Sequence, residues 1–159
     1  MIHLRDLLSQ FFEVKKSVGA VIYLKDRYLI QKRDKKKKIY FPQLYGVFGG
    51  GVNLKEKFLD ALKREILEEL ELKINLDQIK YFLNVSINSK HFKNIRSRSY
   101  FAIKITKKQF SSINLREGQS FHLLKIQDIK KLNFVPWDLS AILYFDGYIK
   151  KKKSVRPIK

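Results

Sequence analysis

Three glutamates, Glu65, Glu68 and Glu69, stand at i, i+3 and i+4, the spacing that puts side chains on one face of an α-helix. Like charges this close destabilise a helix unless a cation compensates them. Arg64 can reach Glu68 one turn on, but one guanidinium cannot neutralise three carboxylates. Hard oxygen ligands converging on one point are what Mg²⁺ or Mn²⁺ requires. Upstream, Gly49-Gly50-Gly51 offers backbone carbonyls without side-chain bulk. The alternative is a solvated acidic helix face, and the overall charge argues against it. The chain carries 34 Lys and Arg against 15 Asp and Glu, a net +19, yet Glu56, Asp60, Glu65, Glu68 and Glu69 crowd into one short stretch. The most acidic patch of a very basic protein points to a cation site.

Such acids need a rigid carrier. Over residues 57–71, Leu59, Leu62, Ile66 and Leu70 recur at helical spacing and form an apolar stripe. The acidic face lies about a quarter turn from it, at about 100° per residue. Residues 17–24 and 28–33, around Lys25-Asp26-Arg27, read as a β-hairpin. Residues 45–48 form a short apolar strand stopped by the glycines. Two strands follow at about 79–88 and 96–105. In the second, Phe101, Ile103 and Ile105 give one apolar face, and Tyr100, Ala102 and Lys104 a mixed one. Residues 107–118 read as a polar loop and 119–125 as a further strand. Pro136 opens a last helix through about Ile149, as proline does at a first helical position. Residues 4–13 look helical, making 1–16 an amphipathic N-terminal helix, and 150–159 a basic, frayed tail. Strands on both sides of a central helix, with a closing helix, indicate an α/β layered fold. The length suits one domain, 1–159.

The segment Gly50-x5-Glu56-x7-Arg64-Glu65-Ile66-x-Glu68-Glu69-x-Glu71-Leu72 resembles the Nudix box, G-x5-E-x7-R-E-U-x-E-E-x-G-U, where U is a bulky aliphatic. Six anchors match at fixed spacing. At commonest-residue frequencies, chance would give this on the order of once in ten million starts, which separates it from a lone glycine motif. The resemblance covers roughly 17–148 and implies a Nudix α/β/α sandwich with a mixed central sheet and the catalytic helix at about 57–71. Three positions depart from the pattern. Glu71 replaces the last box glycine, which usually ends the helix in a left-handed conformation; Glu71 tolerates that poorly, so a different ending is expected. Phe48 stands where many members have Pro, and Lys55 where Gly often precedes the glutamate.

The resemblance implies hydrolysis of a nucleoside diphosphate linked to a further moiety, with Mg²⁺ (Mn²⁺ as the alternative) masking the phosphate charge and orienting water. It makes Glu68 and Glu69 metal ligands and Glu65 a ligand or the base. A carbonyl of Gly49 or Gly50 completes the shell. Arg64 orients a carboxylate through a bidentate pair, and Glu56 supports the box loop. Glu117, before Gly118, is a second candidate base from a later loop. Arg33 is a candidate phosphate ligand. Tyr45 and Asn133 are candidate base or sugar contacts; Tyr40, Phe41, Phe134 and Trp137 have packing as the competing role. His91 has no partner at ligand spacing and takes no role. A nucleoside triphosphate pyrophosphohydrolase of MutT type and a nucleotide-sugar hydrolase (GDP-mannose or ADP-ribose type) are the two enzyme readings.

Composition sets outer bounds. The absence of Cys excludes disulfides, thiolate metal sites and Cys nucleophiles. No apolar run is long enough to span a bilayer, and the N-terminus lacks a secretion-signal stretch, so a soluble cytoplasmic protein is expected. The basic balance suits an anionic partner or simple solvation. A nucleotide is the expected one. RNA is the alternative of another class, binding or 5′-end processing through Lys35 to Lys38 and Lys150 to Lys153. Stable membrane association is not expected, and the N-terminal helix is a candidate homodimer contact.

Overall fold

The computed structural model describes residues 14–36, 39–88 and 94–150. The expected N-terminal helix, His91, Lys37, Lys38 and all but the first residue of the basic tail lie outside them.

Strands β1 (Lys15–Leu24) and β2 (Arg27–Lys32) form the expected hairpin, with Ile22 opposite Leu29 and Lys25 at the turn in a left-handed conformation (φ 57°). After β3 (Tyr45–Gly46) comes helix α1 (Phe58–Leu70), then β4 (Ile79–Ile87) and β5 (Arg96–Lys104). A short helix α2 (Lys107–Ser111) precedes β6 (Ser120–Lys125), α3 (Ile126–Ile129) and α4 (Pro136–Tyr144). The sheet is mixed, in the order β3-β2-β1-β5-β4, with β6 on β2. β1 runs parallel to β5, and the other pairs are antiparallel.

Both faces of the sheet are covered, because both alternating sets of strand residues are apolar. Val18, Ala20, Ile22, Phe101 and Ile103 pack with Leu62, Ile66 and Leu70 of α1 on one side. Val21, Tyr28, Ile30, Tyr100 and Ala102 pack with Ile129, Ala141 and Ile142 on the other. The result is an α/β/α sandwich. On the face of β5 expected to be mixed, Tyr100 and Ala102 are buried with α4 and Lys104 is exposed. The last helix opens at Pro136 as expected, but from Phe145 to Lys150 it continues as a π-helix.

Two local expectations change. Leu59 is 40% exposed; Phe58 and Ala61 make the contact at that end of α1. The supposed loop at 107–118 begins with α2, because Thr106 and Gln109 form a reciprocal capping box. The Gln109 N–H donates to Thr106 Oγ1 at 3.1 Å and the Thr106 N–H to Gln109 Oε1 at 3.0 Å. That T-x-x-Q signal was present in the sequence.

The site depends on how the chain crosses from β2 to β1. These strands pair only near their turn and then separate. Residues 45–52 fill the gap: Tyr45 and Gly46 pair with β2. Farther on, Ala20 N–H donates to Phe48 O (2.8 Å), Val18 N–H to Gly50 O (2.9 Å) and Val52 N–H to Lys16 O (3.0 Å). Gly49 sits at φ +118°, and a Cβ there would lie 2.4 Å from Val18 O, so the crossing requires glycine.

Candidate active site

Arg64 is the hub of the acidic helix. Its Nε and Nη2 donate to the two oxygens of Glu56 (2.9 and 3.0 Å), its Nη1 to Glu65 (2.7 Å) and Glu68 (3.2 Å), and its Nη2 also to the Gly51 carbonyl (2.9 Å). Only a planar fork can serve so many acceptors at once. Arg64 and the Asn53 N–H hold the Glu56 carboxyl below the usual carboxylate range. Glu56 thereby ties the 53–56 turn to the helix, and Lys55, in the turn, is left-handed (φ 64°). Lys55 occupies a position where glycine is common in the box pattern, and its backbone shows why.

Glu65 and Glu69 face inward. Glu65 lies over Gly50, where a Cβ would come within 2.5 Å of its carboxylate. Burial raises its proton affinity, Arg64 opposes this, and the charges of Glu68 and Glu117 add to it. Glu69 is only 7% exposed. It accepts the Gly49 N–H at 2.7 Å and Gln31 Nε2 at 3.4 Å. Burial pushes its pKa up to about 7; the Gly49 N–H opposes this, Glu65 adds to it, and Gln31 and Arg98 oppose it. Glu68 is more open, its side chain 54% exposed.

The three acids do not converge as their spacing suggested. Among the described residues no three carboxylate or imidazole groups are placed to hold one metal ion. Arg64 draws Glu65 and Glu68 to itself, while Glu69 turns to the glycine backbone. The Gly50 carbonyl already accepts Val18 N–H. The donor chemistry nevertheless fits a hard divalent cation: every donor is oxygen, and the buried Glu69 and half-buried Glu65 both have raised proton affinity.

A cleft of about 160 Å³ opens on the glycines. Its lining includes Arg33, Arg96 and Arg98, the rings of Tyr40, Phe41 and Trp137, and Asp138. Asp138 is buried and spoken for. It accepts Val47 N–H (3.1 Å), Arg98 Nε (3.2 Å) and the Tyr100 hydroxyl (2.7 Å). Arg33 Nε donates to the Tyr40 carbonyl (3.1 Å). Burial lowers its proton affinity, opposed by Asp138 and reinforced by Arg98. The Arg96 guanidinium lies 4.5 Å from the Tyr40 ring centroid, and Phe41 meets Trp137 edge-on at 5.0 Å. Phe41 and Gln43 both hold left-handed backbone (φ 54° and 65°).

Of the residues singled out from sequence, Arg33, Gly49 and Gly50 meet at this cleft, and Glu65 and Glu69 adjoin its floor. Glu117 is exposed on a loop beside Glu65. Tyr45 and Asn133 do not line the cleft. Tyr45 pairs with β2, its N–H donates to the Asn133 carbonyl (2.8 Å), and its ring meets His122 at 5.9 Å. Sequence reading missed Arg96, Arg98 and Asp138. Arg96 and Arg98 show a two-residue spacing that puts both on one strand face. Asp138 in a first helical turn reads as a dipole partner and gives no hint of its burial.

Glu71 ends α1 in the left-handed conformation that its side chain was expected to resist, at φ 52° and ψ 26°, with its N–H on Leu67 O at 2.9 Å. The helix ending therefore matches the glycine pattern after all. The carboxylate is held by Asn114 and Arg116.

A family model described as NUDIX domain matches residues 14–144. Comparison with curated proteins finds no match. Solved structures share the fold at low identity. A MutT protein of Methanosarcina mazei is 16% identical with a TM-score of 0.69, covering 88% of this chain and 96% of that one. The dihydroneopterin triphosphate pyrophosphohydrolase of E. coli is 20% identical at 0.64, covering 83% and 96%. The NUDIX domain of Shewanella oneidensis NrtR, complexed with ADP ribose, is 14% identical at 0.66, covering 97% and 100%.

Proposed function

The chain belongs to the Nudix family of hydrolases acting on diphosphate bonds, and on that premise we propose that it is a Mg²⁺-dependent nucleoside triphosphate pyrophosphohydrolase of MutT type, folded as one domain over 1–159. One observation carries the substrate class. Buried Glu69 and half-buried Glu65 adjoin the floor of a small cleft lined by three guanidiniums and a single carboxylate, which is already engaged by one of them. That charge balance favours a ligand rich in phosphate over a neutral sugar.

Glu65, Glu68, Glu69 and the Gly49 carbonyl would hold the metal, which when bound masks phosphate charge and acidifies water. Arg64 orients Glu65 and Glu68 through Nη1, while Glu56 and Gly51 fix the guanidinium through Nε and Nη2. Arg33, anchored at Nε, presents its remaining nitrogens to phosphate oxygens. Glu117 is the base: it is exposed on a loop and its charge reaches Glu65, whereas Glu65 is engaged by Arg64 and lies over Gly50. Tyr40, Phe41 and Trp137 give the cleft an aromatic wall for a base. Among the described residues no helix is long and apolar enough to cross a membrane.

The test is a panel of deoxynucleoside triphosphates, GDP-mannose, ADP-ribose and 5′-triphosphorylated RNA, screened with Mg²⁺ and with Mn²⁺. Release of pyrophosphate and nucleoside monophosphate is expected, and Glu68→Gln should remove most of it with the fold intact. Sugar phosphate from the nucleotide sugars, or pyrophosphate from the RNA and none from the deoxynucleoside triphosphates, would overturn the substrate class. Near-normal turnover by Glu68→Gln would overturn the metal assignment.

A further inference from the structure

We infer that Glu71, standing where the box pattern ends in glycine, tethers the loop that carries Glu117 to the end of α1 and so positions that carboxylate; this rests on reading Glu117 as the base. The helix ending itself needs no side chain, since glycine adopts φ 52° without strain. What Glu71 adds is a carboxylate directed at the next loop. It accepts Asn114 Nδ2 on Oε2 at 2.7 Å and both Nε and Nη2 of Arg116 on Oε1. The loop backbone is pinned to the same helix end. Asn114 N–H donates to Leu70 O (3.0 Å) and Arg116 N–H to Glu69 O (2.9 Å).

On the other side of Glu117 the loop is pinned to β2. Gln119 N–H donates to Lys32 O at 2.9 Å. Gly118, at φ +92°, leaves a Cβ only 3.0 Å from Gln31 Oε1 and 3.2 Å from Lys32 O. Gln31 in turn donates to Glu69. Glu117 thus sits between two anchors, each one contact from Glu69, and its charge is felt at Glu65. Without the Glu71 grip, one side of this span is held by the two backbone bonds and the packing of Ile113 and Leu115 on the core.

The experiment uses the full chain, dGTP as probe with Mg²⁺, and the variants Glu71→Gly, Glu71→Gln, Glu117→Gln and Glu71→Gly/Glu117→Gln. Glu71→Gly is expected to lower kcat about tenfold to a hundredfold with KM within about twofold, and to speed amide exchange at Asn114 and Arg116. Glu71→Gln, which keeps an acceptor for Arg116, should recover part of the loss. Adding Glu71→Gly to Glu117→Gln should change kcat no further, because the group being positioned is gone. Wild-type kcat in Glu71→Gly beside an impaired Glu117→Gln would overturn the tether while leaving the base in place. Additive losses in the double variant would also overturn it. Normal turnover by Glu117→Gln would overturn the base instead, and the tether would then stand or fall on the amide exchange alone.

Discussion

Replacing Glu69 by Gln should make the metal-free protein more stable and less active at once. Glu69 is buried, and its pKa rises from the ordinary 4.5 to about 7. At about 1.4 kcal/mol per tenfold change in proton affinity, keeping it ionised in the folded chain costs about 3 kcal/mol. The sign follows from proton binding. Below pH 4.5 the group is protonated both folded and unfolded. Between 4.5 and 7 the folded chain keeps a proton that the unfolded chain has lost, so stability falls as pH rises. Above 7 the full penalty applies. Gln keeps an oxygen for the Gly49 N–H, but its amide nitrogen opposes Gln31 Nε2, which gives back about 1 kcal/mol. The net gain is about 2 kcal/mol, or about 4–8 °C in Tm for a chain of this size. Thermal melts in EDTA at pH 8 should show this gain, and the same comparison at pH 4.5 should show almost none. With Mg²⁺ the wild type should climb and the variant should not. A variant no more stable than wild type at pH 8, or equally stabilised at both pH values, would refute the reasoning.

The two glycines under the acids should respond differently to alanine. Gly49→Ala places its Cβ on the Val18 carbonyl and combines this with a positive φ, so melts should show a loss of about 3 kcal/mol or more; Gly50→Ala meets only the Glu65 carboxylate, so turnover should fall about tenfold or more with little change in Tm. Asp138→Asn leaves Arg98 buried without its counter-charge, and chemical denaturation should show a loss of about 3 kcal/mol.

The part of the site lying on one helix was legible in the sequence, because its spacing is local. Arg64, Glu65, Glu68 and Glu69 sit within six residues, and a helix converts that spacing directly into a shared edge. Their final contacts were not legible. Arg64 gathers Glu56 from eight residues away, and Glu69 turns to a backbone N–H twenty residues away, choices made only when the glycine segment packs against α1. The cleft was the least readable part. Arg96, Arg98 and Asp138 come from β5 and α4, joined through the register of β5 beside β1. Glu71 was misjudged for a related reason. Intrinsic preference disfavours its backbone, but partners at 114 and 116 compensate, and a single-residue rule does not see them.

The segment 45–52 fills the fork between two separating strands, so the backbone beside the acids is internal to the sheet. Its neighbour 39–44 meets the sheet at the margin, where Arg33 N–H donates to Leu44 O. This separates what can vary from what cannot. Substitutions in that loop can remodel which leaving group is accepted without disturbing the strand pairing beneath the acids, whereas 113–119 carries Glu117 and its anchors and has to be kept. A directed-evolution library confined to 39–44 would therefore explore new substrates on an unaltered hydrolytic base.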